Sequence, residues 1–378
     1  MQEFAMKTKI YMGTASLEKL KDLDLENTFI ICDPFMEKSG KINTITSILK
    51  ERNINYSVFS KIVPNPTIDI VAQGLEEMKR INPTTVIAFG GGSAIDSAKA
   101  ICKVYEEINN FEKMLLIAIP TTSGTGSEVT EFSVITDPKL KVKYALVDEE
   151  MLPDIAILDS QFTVSVPSNI TADTGMDVLT HAIEAYVSTK SGDFSDAFAE
   201  KAIKLVNKYL IDVVKDGSNI KAREHMHNAS AMAGIAFNAA SLGICHSMAH
   251  SLGGRFNLSH GRINAMLLPY IISYNAGLEE DNENSTLDRY VEISKLMGIS
   301  HGTKKATVHG LIREIRKIMK KIGIPLSIKE TNIDLEEYRN SIKEMAKNAL
   351  KDNCTITNPR QASEEDIEKI YLRLLNGA

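Results

Sequence analysis

Along the first 166 residues, the apolar positions fall into short, nearly continuous runs separated by stretches with helical periodicity. Thr28–Cys32 (TFIIC) reads as a strand buried on both faces, and Asp33 and Pro34 turn the chain into a helix reaching about Arg52. Tyr56–Phe59 is a second strand, and the rigid loop Val63–Thr67 (VPNPT) precedes a helix over Ile68–Ile81. Thr85–Phe89 (TVIAF) is a third strand, running into Gly90-Gly91-Gly92-Ser93 and a helix that carries Ala94, Ile95, Ala98 and Ala100. Met114–Ile119 (MLLIAI) is a fourth, ending at Pro120 and the small polar run TTSGTGSE. Further strands are expected at Phe132–Ile135, Tyr144–Val147 and Ile155–Leu158. Strands apolar at successive positions need cover on both faces, so alternation with helices predicts a parallel sheet.

After Val166 and Pro167 the period changes, and from Asn169 to Ala378 the pattern is helical almost throughout, rich in alanine and leucine. The expectation is an α/β domain over 1–166 and an all-α domain over 167–378, which suits a chain of 378 residues. No repeat or low-complexity tract interrupts either half.

Composition narrows the partners. A net charge of −6 leaves no basic footprint, which argues against nucleic acid or an anionic membrane. Cys32, Cys102, Cys245 and Cys354 form no CxxC pair and read as reduced thiols in the cytoplasm. The N-terminal MQEFAMKTKIYMG lacks the apolar core of a signal peptide, and no run approaches the roughly 18 apolar residues of a spanning helix. A soluble cytoplasmic protein is expected.

Two loops suggest nucleotide chemistry. Gly90-Gly91-Gly92-Ser93 lies between a strand and a helix, where bare backbone and a helix N-terminus can approach a phosphate. Asp96 is placed in the first turn of that helix. Thr121-Thr122-Ser123-Gly124-Thr125-Gly126-Ser127 follows the next strand, and two such loops at adjacent strand ends match the crevice where open α/β sheets bind nucleotides. The glycines do not spell GxGxxG, so an ordinary Rossmann fold is not required. Asp33, directly after the first strand, is placed to accept the hydroxyls of an adenosine ribose; its charge would repel a 2′-phosphate and favour NAD over NADP. A plain turn residue before Pro34 is the alternative.

The second half holds a histidine cluster in Ser241–Arg262, SLGICHSMAHSLGGRFNLSHGR. His246 and His250 are one helical turn apart on one face, Gly253 and Gly254 are expected to break the helix, and His260 returns from the following loop. Asp177 and His181 repeat the four-residue spacing on another apolar helical stretch. One carboxylate with imidazoles suits a first-row divalent ion such as Fe(II) or Zn(II) and is too rich in nitrogen for Mg or Ca. A metalloprotease would need HExxH, and His246-Ser247-Met248-Ala249-His250 lacks the glutamate. His225, His227, His301 and His309 sit in charged helical surroundings and are expected to face solvent.

The segments GGGSAIDSAKA, PTTSGTGSEVT, TGMDVLTHAIEAYVS, CHSMAHSLGGRFNLSHGRINAMLLPY and DNCTITNPRQASEEDIEKIY together resemble the signatures of the iron-containing (group III) alcohol dehydrogenases. Within that family the chain is most similar to propanol and ethanol dehydrogenases of microcompartments, and it also resembles 1,3-propanediol and lactaldehyde-reducing members. The resemblance implies a dehydroquinate synthase-like architecture: an N-terminal dinucleotide-binding domain, a helical catalytic domain and a cleft between them. It implies Asp177, His181, His246 and His260 as metal ligands for Fe(II), or Zn(II), with His250 a non-ligand near the nicotinamide. It implies NAD contacts from Asp33, Asn65, Gly91, Gly92, Ser93, Asp96, Thr121, Thr122, Thr125, Thr130, Val134 and Lys143. It places Phe132, Phe237 and Cys354 near the substrate, an apolar set that argues against a strongly polar one. The implied function is NAD-dependent interconversion of short-chain primary alcohols and aldehydes by a homodimer or larger homo-oligomer, in the cytoplasm or a microcompartment lumen. The rivals are a 1,3-propanediol or lactaldehyde dehydrogenase, a zinc glycerol dehydrogenase, and a dehydroquinate-synthase-like lyase. The lyase would need a cluster of cations, and only Arg255 and Arg262 lie near the histidines.

Overall fold

The computed structural model describes residues 4–109, 113–138, 142–280 and 284–377, with side chains 142 and 143 outside the description. The chain divides into two compact units, Met1–Val166 and Pro167–Ala378.

The first unit contains, in order, β1 (Lys9–Met12), β2 (Thr28–Cys32), α1 (Pro34–Lys38), α2 (Asn43–Glu51), β3 (Tyr56–Phe59), α3 (Ile68–Ile81) and β4 (Thr85–Gly90). These are followed by α4 (Gly92–Asn109), β5 (Leu115–Pro120), β6 (Phe132–Asp137), β7 (Val142–Val147) and β8 (Ile155–Leu158). Six strands make one sheet in the order β1-β8-β5-β4-β2-β3, parallel at every pairing. Side chains alternate between its faces. Phe29, Ile31, Val86, Ala88, Leu116 and Ala118 pack with α3 and α4 residues such as Met78, Ile95 and Ile101. Ile30, Cys32, Ile87, Phe89, Ile117 and Ile119 pack on the other face with Ile45, Leu49 and Phe162. This two-sided burial is why the strands read as unbroken apolar runs.

Three details depart from the sequence reading. The expected helix to Arg52 is two helices: Asp33 caps α1, and the chain breaks around Gly40, whose φ of 75° is left-handed, before α2 begins. Strand β1 was not anticipated, because it is a four-residue edge strand whose two outer residues are exposed. β6 and β7 lie outside the parallel sheet and form their own antiparallel hairpin.

The topology sets which strand ends lie together. From β2 the chain moves outward to β3, then returns to the other side of β2 to build β4 and β5. The strand order therefore reverses between β2 and β4, and Asp33 and Gly90 leave those two strands side by side.

The second unit is α5 (Ser168–Val187), α6 (Asp193–Lys215), α7 (Ile220–Ala240), α8 (Ile244–Phe256) and α9 (His260–Asn275). It continues with α10 (Ser285–Leu296), α11 (Lys304–Lys321), α12 (Leu335–Lys351) and α13 (Glu364–Asn376), with no strand among its described residues. From Thr171 to Val187, α5 is buried all round except at Thr174, as befits a central helix. Gly175 lets α6 close on it, since a β-carbon there would lie 2.2 Å from Leu210 Cδ1. Among the described residues no single helix is long and apolar enough to cross a membrane.

Candidate metal centre and dinucleotide loops

On the otherwise apolar α5, Asp177, His181 and Glu184 recur at intervals of four and three, so they share one face. That face meets the N-termini of α8 and α9. Glu184 Oε1 accepts from Cys245 N at 2.8 Å, while Oε2 accepts from His246 N at 3.3 Å and His246 Nδ1 at 2.5 Å. One buried carboxylate thus caps α8 and fixes the first imidazole on it. Burial pushes Glu184 up to about 8, against hydrogen bonds that favour its ionised form. Gly243 makes this approach possible, because a β-carbon there would fall 2.7 Å from Glu184 Oε1 and 2.8 Å from Asn358 Oδ1.

With its Nδ1 proton held by Glu184, His246 presents Nε2 as a lone pair. That atom is fully enclosed, lacks a hydrogen-bond partner among the described residues, and lies 3.9 Å from Asp177 Oδ1. Burial, and then the neighbouring imidazoles, hold His246 well below its ordinary range, so it is neutral. His181 stacks on it, ring centres 4.5 Å apart, and Phe237 stacks on His181 at 4.7 Å. Ligand atoms of Asp177, His181 and His246 all lie within 4.8 Å of one another. His260 Nε2 is 3.8 Å from Asp177 Oδ1, and Asn264 Nδ2 donates to Asp177 Oδ1 at 2.8 Å and reaches His260 Nε2 at 3.1 Å.

The residues fit a divalent ion. An enclosed imidazole lone pair aimed at a buried carboxylate, flanked by two more imidazoles, is an expensive arrangement for an apolar core and a natural one for a borderline metal. The four residues that the resemblance implies are therefore brought together. The pairing of His246 with His250 suggested by spacing is not: His250 Nδ1 bonds Asp352 Oδ2 at 2.8 Å, and its ring stands 6.2 Å from that of His246. The expected break at Gly253 and Gly254 is absent as well. α8 runs through both to Phe256, ends at Asn257 with a left-handed φ of 51°, and His260 opens α9. His227, expected at the surface, is buried; His301 and His309 are exposed, and His225 is half-buried on the ring of Tyr209.

In the first unit the glycine loop is a contact surface between backbones. β-Carbons on Gly91 and Gly92 would lie 3.2 Å from Thr122 Oγ1 and 2.7 Å from Thr125 Cγ2, so the two loops touch through missing side chains. Thr121 N donates to Gly90 O at 2.9 Å, and Ser93 stands in the first turn of α4. The backbone at the α4 N-terminus is thus bare beside hydroxyls, which suits a pyrophosphate. Asp33 Oδ1 caps α1 through the N–H groups of Phe35 and Met36, while Oδ2 faces Gly90, 3.3 Å from where its β-carbon would be. Asn65 takes a left-handed φ of 54° in the loop before α3.

Several other expected contacts are engaged inside the protein. Asp96 lies beyond the first turn of α4; Ser127 Oγ donates to its Oδ1 at 2.6 Å and Val134 N to its Oδ2 at 3.2 Å. Thr130 is buried, and Lys99 Nζ donates to its carbonyl at 2.6 Å and to that of Phe132 at 2.8 Å. Lys143 lies on β7, with its side chain outside the described residues. Phe132 opens β6 half-buried, Phe237 is buried on α7, and Cys354 is half-buried after α12.

Sequence reasoning missed Glu184, Asn264, Asp352 and Lys99. Glu184 had a signal: a carboxylate inside the apolar run Val178–Val187 is costly to bury without partners. Lys99 had the same signal between Ala98 and Ala100, and burial lowers it to about 8.

Two family models match the chain: Iron-containing alcohol dehydrogenase over residues 7–160 and Fe-containing alcohol dehydrogenase family, C-terminal, over 171–375. The 1-propanol dehydrogenase PduQ of Salmonella typhimurium is 43% identical, covering 99% of this chain and 100% of that one. The NADPH-dependent butanol dehydrogenase of Clostridium saccharobutylicum is 39% identical over 98% of this chain and 97% of its own. The crystal structure of a 1,3-propanediol oxidoreductase superposes with a TM-score of 0.91 at 31% identity, covering 99% of this chain and 100% of that one.

Proposed function

The chain belongs to the iron-containing alcohol dehydrogenase family, and from that premise we propose that it is an NAD-dependent dehydrogenase of short-chain primary alcohols, working as an aldehyde reductase. The observation that carries this reading is the enclosed lone pair of His246 beside Asp177, His181 and His260. A divalent ion held by those four residues would polarise the carbonyl oxygen as a Lewis acid. A dihydronicotinamide, when bound, would supply the hydride for the carbonyl carbon, and this chain's own residues would supply the proton for the carbonyl oxygen. Glu184 holds His246 in the tautomer whose Nε2 is free to ligate. His250, half-exposed one turn further along α8, is our choice for passing the proton. Phe237, stacked on His181, excludes water from that side of the ligand set.

NAD is favoured over NADP by the free oxygen of Asp33, whose charge would repel a 2′-phosphate. That residue matters because a relative 39% identical carries an NADPH-dependent name.

The substrate class is argued from Phe237, which stacks on His181. Apolar surface there is worth about 0.8 kcal/mol for each buried CH₂, about fourfold in affinity. A second hydroxyl without a partner would cost on the order of 1–3 kcal/mol. Steady-state assays of the Fe(II)-loaded protein with NADH should rank kcat/KM for propanal above acetaldehyde and well above 3-hydroxypropanal or glyceraldehyde. If 3-hydroxypropanal ranks first, the reading changes to a 1,3-propanediol dehydrogenase, the activity named for the structural relative. Homo-oligomerisation and residence in the cytoplasm or a microcompartment lumen complete the proposal, tested by light scattering and by co-purification with shell proteins.

A further inference from the structure

His250 shares a helical face with His246, yet a different carboxylate controls it. Asp352 ends α12 and caps the short turn Asn353–Thr357. Its Oδ1 accepts from Cys354 N at 2.9 Å and lies 3.3 Å from Ser247 Oγ, which in turn accepts from Thr355 Oγ1 at 2.8 Å. These donors anchor one oxygen of the carboxylate independently of His250. The other, Oδ2, is left to face His250 Nδ1 at 2.8 Å. The His260 ring stacks on His250 almost parallel, centres 5.1 Å apart.

A neutral imidazole has two tautomers, and a carboxylate at Nδ1 selects the one with its proton there, leaving the lone pair on Nε2. We propose that Asp352 is a positioning residue for proton transfer: by holding Nδ1–H of His250, it makes Nε2 the nitrogen that exchanges a proton with the substrate oxygen. In reduction the imidazolium gives its Nε2 proton to the oxygen that received the C=O electron pair and remains as the Nδ1–H tautomer. Solvent then returns a proton to Nε2, and alcohol oxidation runs the same steps backwards. The proposal rests on the role given above to His250.

A capping role alone would also make Asp352 matter, so the test has to separate the two. Asp352→Asn keeps an oxygen able to accept the Cys354 N–H but loses the charge that selects the tautomer. It should lower kcat for propanal reduction on the order of 10²-fold, with metal content and KM for NADH unchanged. In a His250→Ala background the same substitution should change kcat by less than about twofold, because its effect runs through the imidazole. Equal losses in both backgrounds, or no loss in either, overturn the proposal. A measurement that needs no Asp352 variant is the ¹⁵N spectrum of zinc-loaded wild-type protein, with His250 assigned by its absence in His250→Ala. It should show the Nδ1–H tautomer, and an Nε2–H tautomer overturns the proposal. Full turnover in His250→Ala would instead overturn the proton-passing role of His250, while the spectrum still decides whether Asp352 sets its tautomer.

Discussion

Gly261 is where the helical unit is least able to accept a methyl group. A β-carbon there would lie 2.1 Å from the carbonyl oxygen of Asp173, 2.8 Å from its carbonyl carbon and 3.0 Å from Asp177 Cβ. Real contacts of this kind stay at 3.0 Å or more, so Gly261→Ala requires a separation of 0.9 Å (3.0 − 2.1) between α9 and α5. Either helix can give way. If the first turn of α9 lifts, it carries His260 with it; if α5 bends at Asp173, it moves Asp177 one turn on. Metal sites tolerate errors of about 0.2 Å in ligand distance, so either route displaces a proposed ligand by several times the tolerance. The expected result is a metal affinity lowered by on the order of 10–100-fold, with a stability loss of about 1–3 kcal/mol from overpacking. Metal analysis after dialysis against graded chelator measures the first and thermal melting the second. NADH fluorescence titration should be unchanged, because the proposed dinucleotide loops contain no residue of α5 or α9. Wild-type metal affinity in a folded Gly261→Ala protein would refute the argument that Gly261 sets the distance between these ligands.

Three further outcomes follow. His246→Ala and His260→Ala should each lose metal and activity together, whereas His250→Ala should keep its metal while turnover falls; full metal occupancy in the first two would remove them from the ligand set. Asp33→Gly should move the NAD/NADP ratio of kcat/KM toward NADP, and since glycine replaces a helix cap at a cost of only a few tenths of a kcal/mol, an unchanged ratio would show a turn residue alone. Burial raises Glu128 from 4.5 to about 7, so folding takes up a proton and stability falls as pH climbs from about 4.5 through 7; Glu128→Gln should match wild type in thermal melts near pH 4.5 and exceed it by roughly 1–3 kcal/mol at pH 8.

Much of the parallel sheet was legible because both of its faces are buried. β2, β4 and β5 are built on consecutive apolar residues that no solvated element would tolerate, and their ends lie within a residue or two of the hydrophobic runs. The edge was not legible: β1 carries exposed Lys9 and Met12, and a four-residue half-exposed strand has no periodicity to detect. The break between α1 and α2 was hidden for a related reason. Its one local sign, Gly40, costs only about 1 kcal/mol inside a helix, too little to outweigh the apolar spacing around it.

The candidate metal cluster shows how far spacing carries an argument about chemistry and where it stops. A four-residue interval places two side chains on one face of a helix, and it does so equally for Asp177 with His181 and for His246 with His250. What separates the two pairs is which helix each face meets. On α5 the polar face looks into the N-termini of α8 and α9, where Gly243 and Gly261 lack the β-carbons that would collide with Glu184 and Asp173. On α8 the two imidazoles part company one turn apart, His246 toward Glu184 and His250 toward Asp352. No interval encodes that choice, because Glu184 and Asp352 stand 62 and 102 residues from the histidines they bind. The cost of burial is the signal that does survive in the sequence. Asp177, His181 and Glu184 are polar groups in a helix otherwise fit for a core, and each unsatisfied group there would cost on the order of 1–3 kcal/mol. Polar residues recurring on one face of an apolar helix therefore point to partners supplied from elsewhere in the chain, even when the sequence does not say which.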